Sequence, residues 1–485
     1  MPAFFDSRDS QYRAPFGAVE EGTPVTLRVC MPRNWGCRSA FLMMEQDGQL
    51  RTEIPMQWGG MRDGDHEWWT VTYTPAAAGL YWYNFRVEVA LGGGFLTRRF
   101  DGTAAYSPDR DGRRWQLTCY ERDFTTPDWL AGGVMYQIFP DRFASSGTPK
   151  DGVPADRVIH ADWSETPEWR PNPHGQVQNN DFFGGDLKGI EDKLDYLSSL
   201  GVTCIYLNPI FESHSNHRYD TADYTRIDPL LGDEADFRSL TAAAKARGIR
   251  VMLDGVFSHT GSDSVYFNRQ RRYEGDGAYN SPNSPYSDWY HFRNWPNDYA
   301  SWWGFQTLPE VDELSPGFMT YVNGEQGIVP KWLQAGASGW RLDVADELPD
   351  GFLDALRRRV KATDPDALVL GEVWEDATNK ESYGHRRRYL LGQQLDSVMN
   401  YPFRDAILEY LLGGSGAEFI HKVWDVVENY PPQTLRLLMN HIGTHDTERA
   451  LTLLGDEPTY GRGRSWQADR RMTADQRTLA QKRLR

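Results

Sequence analysis

One pattern constrains this chain more than any other. From about residue 133, an amphipathic stretch ends at a glycine, a short apolar run follows, and the unit recurs. Ile190, Leu194, Leu197 and Leu200 fall on one helical face; Gly201 stops the helix, and TCIYLNP follows. Phe237, Leu240 and Ala244 precede Gly248 and IRVMLD. Trp332 and Leu333 precede Gly336 and GWRLD; Leu353, Leu356 and Val360 precede ALVLGE. Helical spacing followed by a continuous apolar run is the signature of a strand buried on both faces and covered by its own helix. The recurrence predicts an α/β chain built as a (β/α)8 barrel.

Two regions fall outside that rhythm. Residues 1–122 carry TPVTLRVCM and GLYWYNFRVEV, β-branched and aromatic runs separated by Gly, Asp and Pro turns, which predicts an N-terminal all-β sandwich. FTTPDWL, 124–130, reads as a linker into the barrel, which takes 123–259 and 317–485. Residues 260–316 form an excursion after the third barrel strand, rich in Tyr, Trp, Asn, Pro and Gly. Tyr266, Tyr290, Trp295, Trp302 and Trp303 serve there either as a sugar-stacking wall or as the excursion's own core, and the sequence favours neither.

Polar residues gather at the C-terminal ends of the predicted strands, the catalytic face of a barrel. Asp254 ends VMLD, with His259 just after it. Arg341 and Asp343 end GWRLD, Glu372 ends VLGE, and His445 and Asp446 follow LLMNHIGT. Each has an ordinary structural explanation: an Asp caps a helix, and an Arg and Asp two apart in a strand pair with each other. A stabilising network has no need to collect all of them at one rim. Retaining glycoside hydrolysis does, because it uses two carboxyl groups about 5–5.5 Å apart, one attacking the anomeric carbon and one protonating the leaving oxygen. The acid needs surroundings that raise its pKa, and an Arg beside the nucleophile keeps that group ionised.

Composition removes other classes. The formal net charge of −16 argues against nucleic acid and anionic membranes as partners. No run has the length of a membrane span, and MPAFFDSRDSQYR lacks the pattern of a signal peptide, so the expected location is cytoplasmic. Cys30, Cys37, Cys119 and Cys204 read as free thiols. There is no metal-ligand pair on a helix, no G-x-S-x-G elbow and no phosphate-cradling glycine loop.

These residues carry a resemblance. DGVFSHT (254–260), GWRLDVADE (339–347), LGEVWE (370–375) and GTHDTER (443–449) resemble, in order, the four main conserved regions of the α-amylase family, glycoside hydrolase family 13. YQIFPDRF (136–143), FFGGDLKGI (182–190), VTCIYLNPIF (202–211) and HRYDTADY (217–224) resemble its secondary regions. VADE is close to the VANE of the neopullulanase and cyclomaltodextrinase branch, with Asp346 in place of Asn. The resemblance implies Asp343 as nucleophile, Glu372 as acid/base and Asp446 as the third carboxylate. It further implies Arg341, His259, His445 and Tyr219 as residues around the sugar, Tyr219 by stacking, and Asp254 as a structural residue. The implied substrates are maltooligosaccharides, cyclodextrins or pullulan, cleaved at α-1,4 bonds with α-1,6 bonds left open. A homodimer through the N-terminal domain is implied as well.

Transfer to a sugar acceptor shares the same residues, and a non-catalytic sugar-binding chain remains the other reading. No cofactor is required. Calcium is the one metal the resemblance raises, but ASSGTPKDG (144–152) stands where relatives carry an Asn/Asp-rich loop, leaving only Gly185 and Asp186. Beyond Asp446 the sequence reads as a helix around 447–454, a Gly/Pro-rich loop and a charged helix. The expectation is therefore a barrel truncated before its eighth strand, either a fragment or one completed by another chain.

Overall fold

The computed structural model describes the chain except Met1, His174, Gln176, residues 456–461 and the side chain of Arg464. Its central feature is a parallel sheet whose strand order follows chain order: β1 (Met135–Ile138), β2 (Cys204–Leu207), β3 (Arg250–Gly255), β4 (Gly339–Leu342), β5 (Leu368–Gly371) and β6 (Ser397–Val398). A single parallel bridge, Met399 to Met439, sets a further segment beside β6.

The two faces of these strands do different work, because side chains alternate along a strand. Ile205, Leu207, Val251, Leu253, Trp340 and Val369 point into one large core shared with the helices. These include α1 (Leu187–Asp192), α2 (Leu194–Ser199), α3 (Glu234–Lys245) and α4 (Asp350–Thr363). The opposite set, Cys204, Met252, Leu368, Leu370, Met399 and Leu437, forms a second core, against which Met135 and Met439 pack. The first strand and the last bridged segment thus share one interior, as a sheet curling towards closure requires. Continued towards the strand ends, this inner row delivers Gln137, Tyr206, Asp254, Arg341 and Glu372. Gln137 is in register with Tyr206, and Asp254 with Arg341.

Several local expectations need correction. The helix foreseen around 190–200 is two short helices that meet at Lys193, whose backbone (φ −98°, ψ 4°) is not helical. Leu187, Ile190, Leu194 and Leu197 are buried, but Leu200 sits past the last turn and is 49 % exposed. The 124–130 segment, read as a linker, is packed against the rest of the chain: Phe124 and Leu130 are buried, and Trp129 donates its indole N–H to the Asp366 carbonyl. The Gly/Pro-rich loop falls largely on 456–461, outside the described residues. Beyond it the chain forms helices Arg464–Asp469 and Ala474–Arg483, the latter packed on helix Ala450–Gly455.

The N-terminal residues form two sheets of mainly antiparallel strands around a common core that includes Phe5, Val29, Leu42, Phe85 and Trp115. They are fixed to α5 (Gly416–Asn429) by ion pairs: buried Arg13 Nη1 donates to Glu428 Oε1 at 2.9 Å, and Arg8 Nη2 to half-buried Asp425 Oδ1 at 3.0 Å. All four cysteines are free. No helix among the described residues is long and apolar enough to cross a membrane.

Candidate active site

A cleft of about 1480 Å3 opens at the C-terminal ends of the parallel strands; Asp343, Glu372, Asp446, Tyr219, His259 and Trp374 are among its lining. Its floor is organised by Arg341, fully buried at the inner end of β4. Arg341 Nη1 donates to Asp254 Oδ1 at 2.9 Å and to Asp343 Oδ1 at 2.7 Å. Nη2 lies 2.9 Å from Glu372 Oε2, an ion pair without good hydrogen-bond angles. The Val344 N–H donates to the same Glu372 oxygen at 2.9 Å, and the Trp374 indole N–H to Glu372 Oε1 at 3.0 Å. Two carboxylates thus sit on the two nitrogens of one guanidinium, an arrangement that suits the short separation of a retaining pair, about 5–5.5 Å.

Three acids around one cation cannot all ionise easily in a buried place. Burial pushes Asp343 well above the usual carboxylate range; the charges of Glu372 and Asp254 add to this, and Arg341 opposes it. Burial raises Glu372 too, but Arg341, the Val344 N–H and Trp374 outweigh it and hold Glu372 below its ordinary value. Arg341 does favour the Asp343 carboxylate, as expected, but burial outweighs it. In the sugar-free site Glu372 is not raised, because it is turned onto Arg341 and the Val344 N–H.

Asp446 is raised to about 6, by partial burial and then by the Glu372 charge. Its neighbour His445 is exposed, and its ring lies near-parallel beside the Tyr219 ring, centroids 5.5 Å apart and 7° from parallel. Tyr219 donates its hydroxyl to Asp254 Oδ2 at 2.9 Å. His259 lies on the other wall, 3.1 Å from the Tyr219 carbonyl through Nε2. Burial lowers both His259 and His445 to about 4, so both are neutral at physiological pH. Asp254 accepts from Tyr206, Tyr219 and Arg341, is 2 % exposed and does not line the cleft. The structure therefore brings Asp343, Glu372, Asp446, Arg341, Tyr219, His259 and His445 to one place.

The aromatic excursion divides. Tyr266 and Tyr290 are core, packed with Trp289 and Phe267 respectively. Trp302 and Trp303 line the cleft as a stacked pair, 4.9 Å apart and 12° from parallel, with Trp302 5.2 Å from the His259 ring. Trp295 is on the surface and donates its indole N–H to the Ala278 carbonyl. Sequence reasoning missed Trp374 and Gln137. Both had a signal: Gln137 stands in YQIFPDRF, and Trp374 in LGEVWE, two residues past Glu372.

The residues do not fit calcium at Asp186. Its Oδ1 accepts from the Ser146 N–H at 3.1 Å and the Gly189 N–H at 2.6 Å. Its Oδ2 accepts from the Ser146 hydroxyl at 2.6 Å and faces Lys150 Nζ at 3.1 Å. Both oxygens are taken by donors, and an ammonium occupies the place of a cation. Among the described residues no three His, Cys, Asp or Glu side chains form a metal-binding group.

The model of the α-amylase catalytic domain matches residues 137–470. The chain belongs to the α-amylase family. The parallel sheet is accordingly the wall of a TIM-barrel-like catalytic domain. The amylopullulanase of Thermoanaerobacterium saccharolyticum is 38 % identical over 498 residues, covering 93 % of this chain and 38 % of that protein. Neopullulanase 2 of Thermoactinomyces vulgaris is 37 % identical over 341 residues, covering 68 % of this chain and 53 % of that protein. Among solved structures, the type III pullulan hydrolase from Thermococcus kodakarensis superposes with a TM-score of 0.59 at 30 % identity, over 94 % of this chain and 74 % of that one. The chain thus spans between about two fifths and half of the length of these two curated relatives.

Proposed function

We propose that this chain is a retaining glycoside hydrolase that cleaves α-1,4-glucosidic bonds, and α-1,6 bonds where the cleft admits them, in maltooligosaccharides, cyclodextrins or pullulan. The observation that carries the reading is the placement of Asp343 and Glu372 on the two nitrogens of buried Arg341, at the floor of an aromatic-walled cleft. Glu372, as the acid, donates its proton to the leaving glycosidic oxygen while the Asp343 carboxylate attacks the anomeric carbon. Water, deprotonated by Glu372, then releases the sugar. Asp446 and neutral His259 bond to sugar hydroxyls, and Tyr219 offers its ring to the sugar.

The relatives' names support the substrate class: amylopullulanase, neopullulanase and pullulan hydrolase. The same reading extends to a cytoplasmic location, with which four free thiols agree, and to a homodimer through the N-terminal sheets. There, Trp58 and Met61 stand exposed on the edge strand Gln57–Met61.

Product release from maltohexaose, β-cyclodextrin and pullulan, measured beside Asp343→Asn, tests the activity. Loss of a covalent nucleophile is expected to cost on the order of 10⁴-fold in kcat or more. Wild-type rates in Asp343→Asn would remove the assignment.

A further inference from the structure

We infer that Gln137 is a positioning residue of this site: its carboxamide fixes His445 as the tautomer protonated on Nε2 and ties the turn carrying Asp446 to β1. The inference rests on the glycosidase reading for its kinetic consequence, and on hydrogen-bond geometry alone for the tautomer.

Four side chains from four segments close a ring. Gln137 Nε2 lies 2.7 Å from His445 Nδ1 and 3.0 Å from Asn208 Oδ1. Asn208 Nδ2 lies 3.0 Å from the Tyr219 hydroxyl, which lies 2.7 Å from His445 Nε2 and 2.9 Å from Asp254 Oδ2. Counting protons leaves one solution. A carboxamide nitrogen has two hydrogens and no lone pair to offer. Gln137 spends one on Asn208 and one on His445, so Nδ1 is the acceptor. The ring proton is then on Nε2, directed at the Tyr219 oxygen and at Asp446 Oδ2, 3.2 Å away. Tyr219 accepts from Asn208 and His445, and its single proton goes to Asp254.

The reverse assignment fails. Turning the Gln137 amide presents its oxygen to Asn208 Oδ1, so Asn208 must turn as well. The one Tyr219 proton is then wanted by Asn208, by a bare His445 Nε2 and by Asp254, and that bare nitrogen faces the Asp446 carboxylate. Such a site asks one hydroxyl proton to serve three acceptors, and leaving buried Asp254 or Asn208 without its donor costs about 1–3 kcal/mol.

Placement gives the ring its consequence. The sheet joins Met439 to β6 by a single bridge, and among the described residues no strand pairing links the 437–446 segment to β1. Gln137 spans that opening and holds His445, and with it Asp446, against the strand that faces Asn208 and Tyr206. The groups around the imidazole are Arg341, Asp254, Glu372, His217, Asp446 and Tyr219. Their mixed signs leave the tautomer to the hydrogen bonds.

The test uses the full chain, Gln137→Glu and Gln137→Met. A carboxylate only accepts, so Gln137→Glu should place a proton on Nδ1 and bring an imidazolium ionisation into the pH profile of kcat/KM. Gln137→Met should lower kcat by about 10²-fold, the scale of a misplaced catalytic group, with a smaller change in KM. Nitrogen-15 NMR of the histidine rings, with the His445 signal identified by its loss in His445→Asn, reads the tautomer directly. At pH 7 the wild type should show a bare Nδ1 and a protonated Nε2; Gln137→Glu should show both protonated. A protonated Nδ1 in the wild type overturns the inference, as does a wild-type pH profile in Gln137→Glu. A chain that shows the expected tautomer but releases no sugar refutes the glycosidase reading and leaves the tautomer standing.

Discussion

Arg341 shows how much a residue's place in a strand conveys. Alternation along IRVMLD, GWRLD and LVLGE puts Asp254, Arg341, Asp343 and Glu372 on the inner row, so their convergence is legible in the sequence. The opposite pKa directions of Asp343 and Glu372 are not, because they depend on how Glu372 turns to Arg341 and to the Val344 N–H. Gln137 is legible only through its motif, YQIFPDRF, since the residues it bonds, His445 and Asn208, are distant in sequence. Glu313 gives a test at this scale. It is 8 % exposed; burial raises it to about 9, with Glu310, Asp312 and Glu347 adding to the shift. A folded pKa above the unfolded value, 4.5, contributes stability that is fully present below pH 4.5 and lost as pH rises towards 9. Glu313→Gln has no such loss. Its Tm should exceed that of the wild type by a margin that widens between pH 5 and pH 9; a constant margin would show that Glu313 does not retain its proton.

At the scale of elements, periodicity found the strands and the helices that cover them, and the buried faces of α3 and α4 include the expected residues. It failed where the chain changes direction. A run with helical spacing from Ile190 to Leu200 gives no sign that Lys193 leaves the helical region, because the apolar residues on both sides still reach the same core. The turn before α1 shows a similar limit. Asp186 caps that helix through the Gly189 N–H, while Lys150, distant in sequence, supplies the cation. Lys150→Met should lower stability by on the order of 2 kcal/mol, the scale of a hydrogen bond to a charged group. The wild-type Tm should not respond to EDTA or to added calcium. A Tm that falls with EDTA and recovers with calcium would contradict the Lys150 assignment.

At the scale of the molecule, the N-terminal sheets are bound to the barrel through Arg13 and Glu428, a buried pair in which loss of either partner strands a charge at about 3–5 kcal/mol. Composition and turn spacing foretold an all-β N-terminal region. Nothing in the sequence pairs Arg13 with Glu428, which are far apart along the chain. The proposed homodimer belongs to this scale: sedimentation should find a species of twice the chain mass that Trp58→Asp weakens, whereas a monomer at all concentrations would remove it. Retention of configuration by Asp343 and Glu372 is read from proton NMR of the first sugar released from maltohexaose, before the anomers equilibrate. A retaining pair releases the α-anomer, and Asp343→Asn releases nothing. A β-anomer as first product would contradict retention, since inversion needs the two carboxyl groups farther apart, at about 6.5–9.5 Å.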